Sequence, residues 1–238
     1  NIGMLRLSSY IAFEMNDIPK AKMLMEKIMN TTIENQRTAM DYEYSGKILL
    51  KEGNDSLAAE NFEKSYQIDT TKTEILQDMG SMYMKLKKYP QAVNAYERRV
   101  NNGKGLTSTD YFNLARAYYF NKDYTHADTL FAKVIELLPT WPNGILWRAQ
   151  TNAQLDPDSK GGMAKPFYEK YIEVALADSA NADKYKNGLV ESYKYLGSYY
   201  YLIDKKIDES KSYWKKVLEL VPDDKQAQQV MAGLNQKK

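Results

Sequence analysis

One arrangement of apolar, small and polar positions recurs along this chain. Leu76, Met79, Gly80, Tyr83, Ala92 and Tyr96 run in step with Tyr111, Leu114, Ala115, Tyr118, Ala127 and Phe131, 35 residues later. Tyr42, Gly46, Leu49, Ala58 and Phe62 precede the first series by 34 residues. Ala149, Ala164 and Tyr168, and then Tyr193, Leu196, Gly197, Tyr200, Trp214 and Val217, continue it with insertions, and Leu5, Ser9, Ala21, Met25 and Ile28 form a degenerate first copy. A period of this length is that of a helix–turn–helix unit, and such a unit cannot bury its apolar face without a stacked neighbour. The pattern predicts a single all-α array with approximate repeats 2–35, 39–72, 73–107, 108–141, 142–178 and 189–222, closed by a capping helix over 223–236.

The positions make physical sense. Small residues at Gly46, Gly80, Ala115, Ala149 and Gly197 let the first helix of a pair approach the second, where Ala58, Ala92, Ala127 and Ala164 are the matching small residues. Phe62, Tyr96, Phe131 and Tyr168, four residues further on, fill the space around that contact. Glu52–Asp55, Asn121–Asp123 and Asp156–Ser159 read as stop and start signals inside pairs, and Pro139, Pro142 and Pro222 as helix limits between them. About a dozen extra residues around Leu176 to Leu189 fit extended helices joined by a polar loop. The segment from Ile2 to Met15 is apolar on almost every side, so it is expected to be covered on more than one face, by upstream repeats or by self-association. Asp223 to Asn235 instead keeps Ala227, Val230, Met231 and Leu234 on one stripe, as a solvating cap does.

These residues resemble the tetratricopeptide repeat, with its Trp-x2-Leu-Gly-x2-Tyr, Ala-x3-Phe and closing Pro positions. Tyr111, Leu114, Ala115, Tyr118, Ala127, Phe131 and Pro139 fill all of them with the expected type, while Arg148 and Asn152 depart from it. The resemblance covers nearly the whole chain and implies a right-handed α–α superhelix. Its first helices would line a concave groove with the side chains that packing does not use: Arg6, Tyr10, Glu43, Lys47, Lys51, Gln77, Ser81, Lys85, Phe112, Asn113, Arg116, Tyr119, Leu146, Gln150, Lys194 and Ser198, with Trp147, Tyr195 and Tyr201 at the edge. Only Glu43 is acidic in that set, so a basic, amide-rich and aromatic groove for a partner peptide is expected. The family's chaperone-tail clamp is not reproduced, since Glu43, Lys47, Asp78, Thr109 and Asn113 stand at its positions.

Composition narrows the chemistry. In 238 residues there are 33 Lys+Arg, 31 Asp+Glu, one His and no Cys, which excludes disulfides, thiolate metal sites and multi-histidine centres. The near-neutral balance argues against a nucleic-acid binder, and no stretch has the length of a membrane span. The missing cysteines, and a start that reads as cut from a longer chain, lean towards an exported, periplasmic location. His126 has no nucleophile motif around it and reads as a surface residue. Asn101 to Gly105 lacks phosphate-loop spacing, and the Asp156 to Gly162 stretch lacks the ligand alternation of a calcium loop. No catalytic residue, metal site or cofactor is expected. The function expected is a non-catalytic scaffold or adaptor holding a protein or peptide partner. The alternative is a small-ligand or glycan receptor stacking on Phe112, Tyr119 and Trp147. Most of the 20 tyrosines are expected in the stacked core, Tyr44, Tyr83, Tyr118, Tyr171 and Tyr200 among them.

Overall fold

A computed structural model describes residues 1–236, in which every regular element is helical and none is a strand. The chain divides into two compact units, Asn1–Asn121 and Lys122–Lys238. The first holds α1 (Ile2–Glu14), α2 (Ile18–Thr31), α3 (Ala39–Lys51), α4 (Asp55–Ile68), α5 (Ile75–Lys85), α6 (Tyr89–Asn102) and α7 (Ser108–Phe120), and within it each helix packs on the next along the chain. The second holds α8 (Tyr124–Leu137), α9 (Pro142–Leu155), α10 (Lys165–Ala177), α11 (Ala182–Leu202), α12 (Ile207–Leu220) and α13 (Lys225–Gln236), again packed in chain order.

The small positions decide how closely paired helices approach. A methyl group at Gly46 would lie 2.9 Å from the Phe62 ring, one at Gly80 would lie 2.5 Å from Tyr96, and one at Gly197 would lie 2.7 Å from the Trp214 indole. Phe62 and Trp214 are fully buried, and Tyr96 nearly so. The expected extension around residues 176–189 uses the same device. After a short 3-10 turn, Ser179–Asn181, helix α11 runs for 21 residues, and Gly188 receives the Tyr171 hydroxyl where a side chain would clash. Tyr171 donates to the Tyr185 carbonyl at 3.4 Å and Tyr185 donates to Asp178 at 2.8 Å, so the extra residues are tied into the core of their unit.

Six turns share one backbone state. Asn16, Gly53, Lys87, Lys122, Ser159 and Lys205 have φ of 59°, 78°, 56°, 64°, 54° and 58°. Each follows a first helix, and the amides of Asp17, Asn54 and Lys88 reach back to the carbonyls of Ala12, Leu49 and Tyr83. This is the left-handed helix stop that glycine adopts without strain, yet glycine stands at one of the six positions. Asp17, Asn54 and Asp123 then cap the second helices through their side chains.

Helix α1 shows the apolar face for which a further covering partner is expected. It buries Ser9 and Ala12 against its unit and leaves Met4 (66% exposed), Leu7, Ile11 and Met15 (76%) on an outer stripe, because unit 1 supplies a partner to one face of the helix.

Two outcomes follow. Gly80→Ala is expected to cost about 1–3 kcal/mol, the penalty of overpacking a filled core, and to cost less in a Tyr96→Leu background; chemical denaturation of the four variants checks this. Lys205→Gly is expected to raise stability by about 0.5–1 kcal/mol, the left-handed strain of about 1–2 kcal/mol less the added freedom of the unfolded chain. Its thermal midpoint against wild type provides the readout.

Candidate functional site

In unit 1, several side chains expected to line the groove instead bind neighbouring helices. Thr38 and Asp41 cap α3 reciprocally, and Asp41 also accepts from Arg6 Nε at 3.0 Å and from the Tyr10 hydroxyl at 2.6 Å, both on α1. Thr107 and Asp110 repeat the box on α7. Asp110 accepts from Arg99 Nε of α6 at 2.9 Å and from Gln77 of α5 at 3.0 Å, and Asn113 donates onward to Gln77 at 3.4 Å. Burial pushes the Asp110 carboxyl up, but the Thr107 amide and the Arg99 guanidinium outweigh it, and the group ends below the ordinary carboxylate range.

Charge is likewise balanced locally. Lys47 donates to Glu43 at 2.7 Å and Lys72 donates to the same carboxylate at 2.6 Å. The Asp78 carboxyl is pushed up by burial, with Lys47 opposing and Glu43 adding to the shift. Lys85 reaches Asp55 at the start of α4, 2.5 Å away, and Lys51 is exposed at the end of α3. Several of the cations expected in the groove are thus answered by carboxylates close by: Glu43, itself in the expected set, pairs with Lys47 on the same helix, and Asp55 pairs with Lys85 from the neighbouring helix α4.

One place gathers predicted residues around open space. A cleft of about 370 Å³ among α5, α6 and α7 is lined by Ser81, Met84, Lys85, Lys87, Tyr89, Tyr96, Asn113, Arg116 and Phe120. It presents three cations, of which Lys85 is paired with Asp55, an amide and the hydroxyls of Ser81, Tyr89 and Tyr96, and no carboxylate lines it. Arg116 lies over the Phe112 ring, 5.7 Å from its centre, and Tyr89 stacks on Phe120 at 5.5 Å. Burial raises the Tyr96 hydroxyl to about 12, and Ser81 hydrogen-bonds to it. Lys87, Met84, Tyr89 and Phe120 escaped the sequence reading. The first sits in a turn and owes its place to the left-handed stop, and Tyr89 comes from a second helix.

In unit 2, Gln150 donates to both oxygens of Glu191, at 3.0 and 2.9 Å, and Lys194 pairs with Asp224 at 2.6 Å. Trp147 stacks on the buried Phe131 with ring centres 5.9 Å apart, so the core does use it, contrary to its helical projection. Tyr119 meets Phe120 edge-on in unit 1. His126 sits exposed on the first turn of α8, 2.8 Å from the Asp123 carboxylate that caps that helix. Among the described residues no group of His, Asp and Glu is placed to hold a metal ion, and no helix is long and apolar enough to cross a membrane.

The Asp110 network carries a test. Asp110→Asn leaves Arg99 buried without its counter-charge, and the expected loss is about 3 kcal/mol near neutral pH. A carboxyl depressed in the native state contributes stability above its unfolded value of about 3.9 and loses it as pH falls through the native value. The gap between wild type and variant should therefore narrow steadily in urea melts taken from about pH 5 downward.

The tetratricopeptide repeat family model matches residues 111–140, from α7 into α8. No curated protein sequence matches the chain. Among solved structures, the C-terminal part of a TPR repeat-containing protein from Cytophaga hutchinsonii is 34% identical, with a TM-score of 0.74 over 95% of this chain and 86% of that one. YrrB, a TPR protein with an unusual peptide-binding site, is 16% identical with a TM-score of 0.61 over 87% of this chain and 96% of its own. Pseudomonas aeruginosa pilF is 17% identical with a TM-score of 0.54 over 98% and 97%. The last two likenesses concern the fold. The first extends to sequence, at 34% identity over 95% of this chain, and so the chain belongs to the tetratricopeptide-repeat proteins.

Proposed function

We propose that this chain is a non-catalytic scaffold that holds a segment of a partner protein, and that the α5–α7 cleft is where unit 1 grips it. Tetratricopeptide proteins as a class are interaction scaffolds, and that level of description applies directly. The finer reading rests on one observation: Lys87, Arg116, Asn113 and Ser81, with Lys85 held beside them by Asp55, converge on a cleft that no carboxylate lines. A segment with Asp or Glu side chains would meet charge-assisted donors there, while the flanking rings of Tyr89 and Phe120 offer apolar area. Lys47, Lys194 and Lys85 support this less, since their charges are already answered by Glu43, Asp224 and Asp55. A glycan-stacking role draws less support still, because Arg116 covers one face of Phe112 and Phe131 covers one face of Trp147. The outer stripe of α1 supports self-association through that helix as a separate contact.

An array of acidic, neutral and basic peptides probed with the full chain tests the reading. Acidic peptides are expected to bind and to weaken as salt rises, since exposed charges are screened within about 8 Å at physiological ionic strength. Arg116→Gln combined with Asn113→Ala is expected to lower their affinity at least about tenfold, or about 1.4 kcal/mol. Retention of only neutral or basic peptides, or acidic binding indifferent to the double variant, would remove the cleft from consideration.

A further inference from the structure

We infer that unit 2 carries a second recognition site of opposite character, an uncharged trough between α11 and α13 that takes an apolar side-chain anchor from a partner polypeptide. This rests on the scaffold reading above but not on the unit 1 cleft. The trough encloses about 370 Å³, and Tyr201, Leu202, Val230 and Leu234 form its sides, with Trp214 beneath. Ser198, Gln226, the Tyr201 hydroxyl and the Trp214 indole N–H are the polar groups of its lining residues, and no charged group takes part. Leu202 stands 57% exposed at the rim, whereas residues 188–201 of α11 are buried or half-buried. A second cleft of about 580 Å³ shares Ser198 and Leu202 with the trough and continues past Tyr195 and Tyr199 to the turn at Asp158.

Gly233 is the telling residue. It lies inside α13, where glycine is among the least favourable choices. None of glycine's usual structural reasons holds there. Its φ is not positive, it is not the residue that stops the helix, and a methyl group at this position would meet nothing within 4 Å. That contrasts with Gly46, Gly80, Gly188 and Gly197, each pressed by an aromatic ring. A glycine that the chain's own packing does not need, on the wall of an apolar trough, leaves space for an incoming backbone. The occupant's chemistry follows from the lining. A charged side chain would lose water and gain no counter-charge, whereas a Leu, Met or Phe anchor buries its area and the Gln226 amide can bond the peptide backbone beside it.

Peptides selected from a displayed random library on the full chain, then labelled and titrated by fluorescence anisotropy, test the assignment. The titrations compare wild type with Gly233→Trp, which fills the trough, Leu202→Glu, which charges its rim, Gly233→Ala, which adds one methyl group where the peptide backbone would pass, and Arg116→Gln in unit 1. Gly233 and Leu202 are exposed and Arg116 is half-buried, and melting curves verify that each variant folds. Peptides with an apolar anchor are expected to bind, to lose at least about tenfold in affinity to both Gly233→Trp and Leu202→Glu, to weaken by about threefold for Gly233→Ala, and to stay within about twofold for Arg116→Gln, with little response to salt. Apolar-anchored peptides indifferent to both trough variants would overturn the inference. So would a selection yielding only acidic peptides lost with Arg116→Gln, which upholds the unit 1 reading alone. Dodecanoate binding abolished by Gly233→Trp, with no peptide sharing that sensitivity, would assign the trough to an acyl chain and equally overturn it.

Discussion

Everything in this protein depends on a ring laid where a side chain is missing. At Gly46, Gly80 and Gly197 the partner helix comes so close that Phe62, Tyr96 and Trp214 occupy the volume a Cβ would need. Dispersion and apolar burial are gained without a void, and the approach distance is set by the ring and not by a flexible side chain. Because the same contact recurs, the helices of a pair meet in a fixed geometry, and that geometry determines which positions are left to stack on neighbours or to face solvent. Gly188 and Tyr171 show that an insertion can be absorbed by making the contact once more.

This constraint is also why the helical array was legible. Small and aromatic residues at a nearly constant period can be read without knowing any contact, and so can proline limits such as Pro142, the first residue of α9. The structural tyrosines were legible on the same basis. Tyr44 stacks on Tyr10 at 4.3 Å and donates to Glu14 at 2.9 Å, while Tyr118 donates to Glu97 and Tyr200 to Glu169, each ring packed and each hydroxyl answered at the rim. The candidate sites were legible only in part. Ser81, Lys85, Asn113 and Arg116 project from first helices and were found by period, but Lys87 and Tyr89 reach the cleft from a turn and a second helix. The local partners of these residues were not legible for a related reason: Glu191 and Asp224, which bond Gln150 and Lys194, lie 41 and 30 residues away in sequence. The trough escaped altogether, because an unneeded glycine looks like any other until its surroundings are known.

The two candidate sites illustrate how one repeat plan accommodates different chemistry. The packing positions are held to glycine, alanine and aromatic residues, so variation is left to the outward positions of the same helices. In unit 1 those positions carry Arg116, Asn113 and Lys85, and in unit 2 Ser198, Tyr201 and Leu202. Recognition can therefore change from cationic to apolar with no change in the scaffold that presents it.

Asp41 and Asp110 have a consequence for how the chain comes apart. Each closes the capping box that starts its own helix and, with the same carboxylate, holds residues of helices that precede it. Fraying of the helix start and separation from the preceding helices are then one event, so the nearest-neighbour coupling that makes a repeat array melt as a block is concentrated there. In unit 2 the corresponding tie between successive first helices runs from Gln150 to Glu191, inside the extended α11 and away from its first turn. The start of α11 is held instead by Tyr185, whose carbonyl accepts from Tyr171 and whose hydroxyl donates to Asp178, so it can open together with the end of α10 without undoing the tie between first helices.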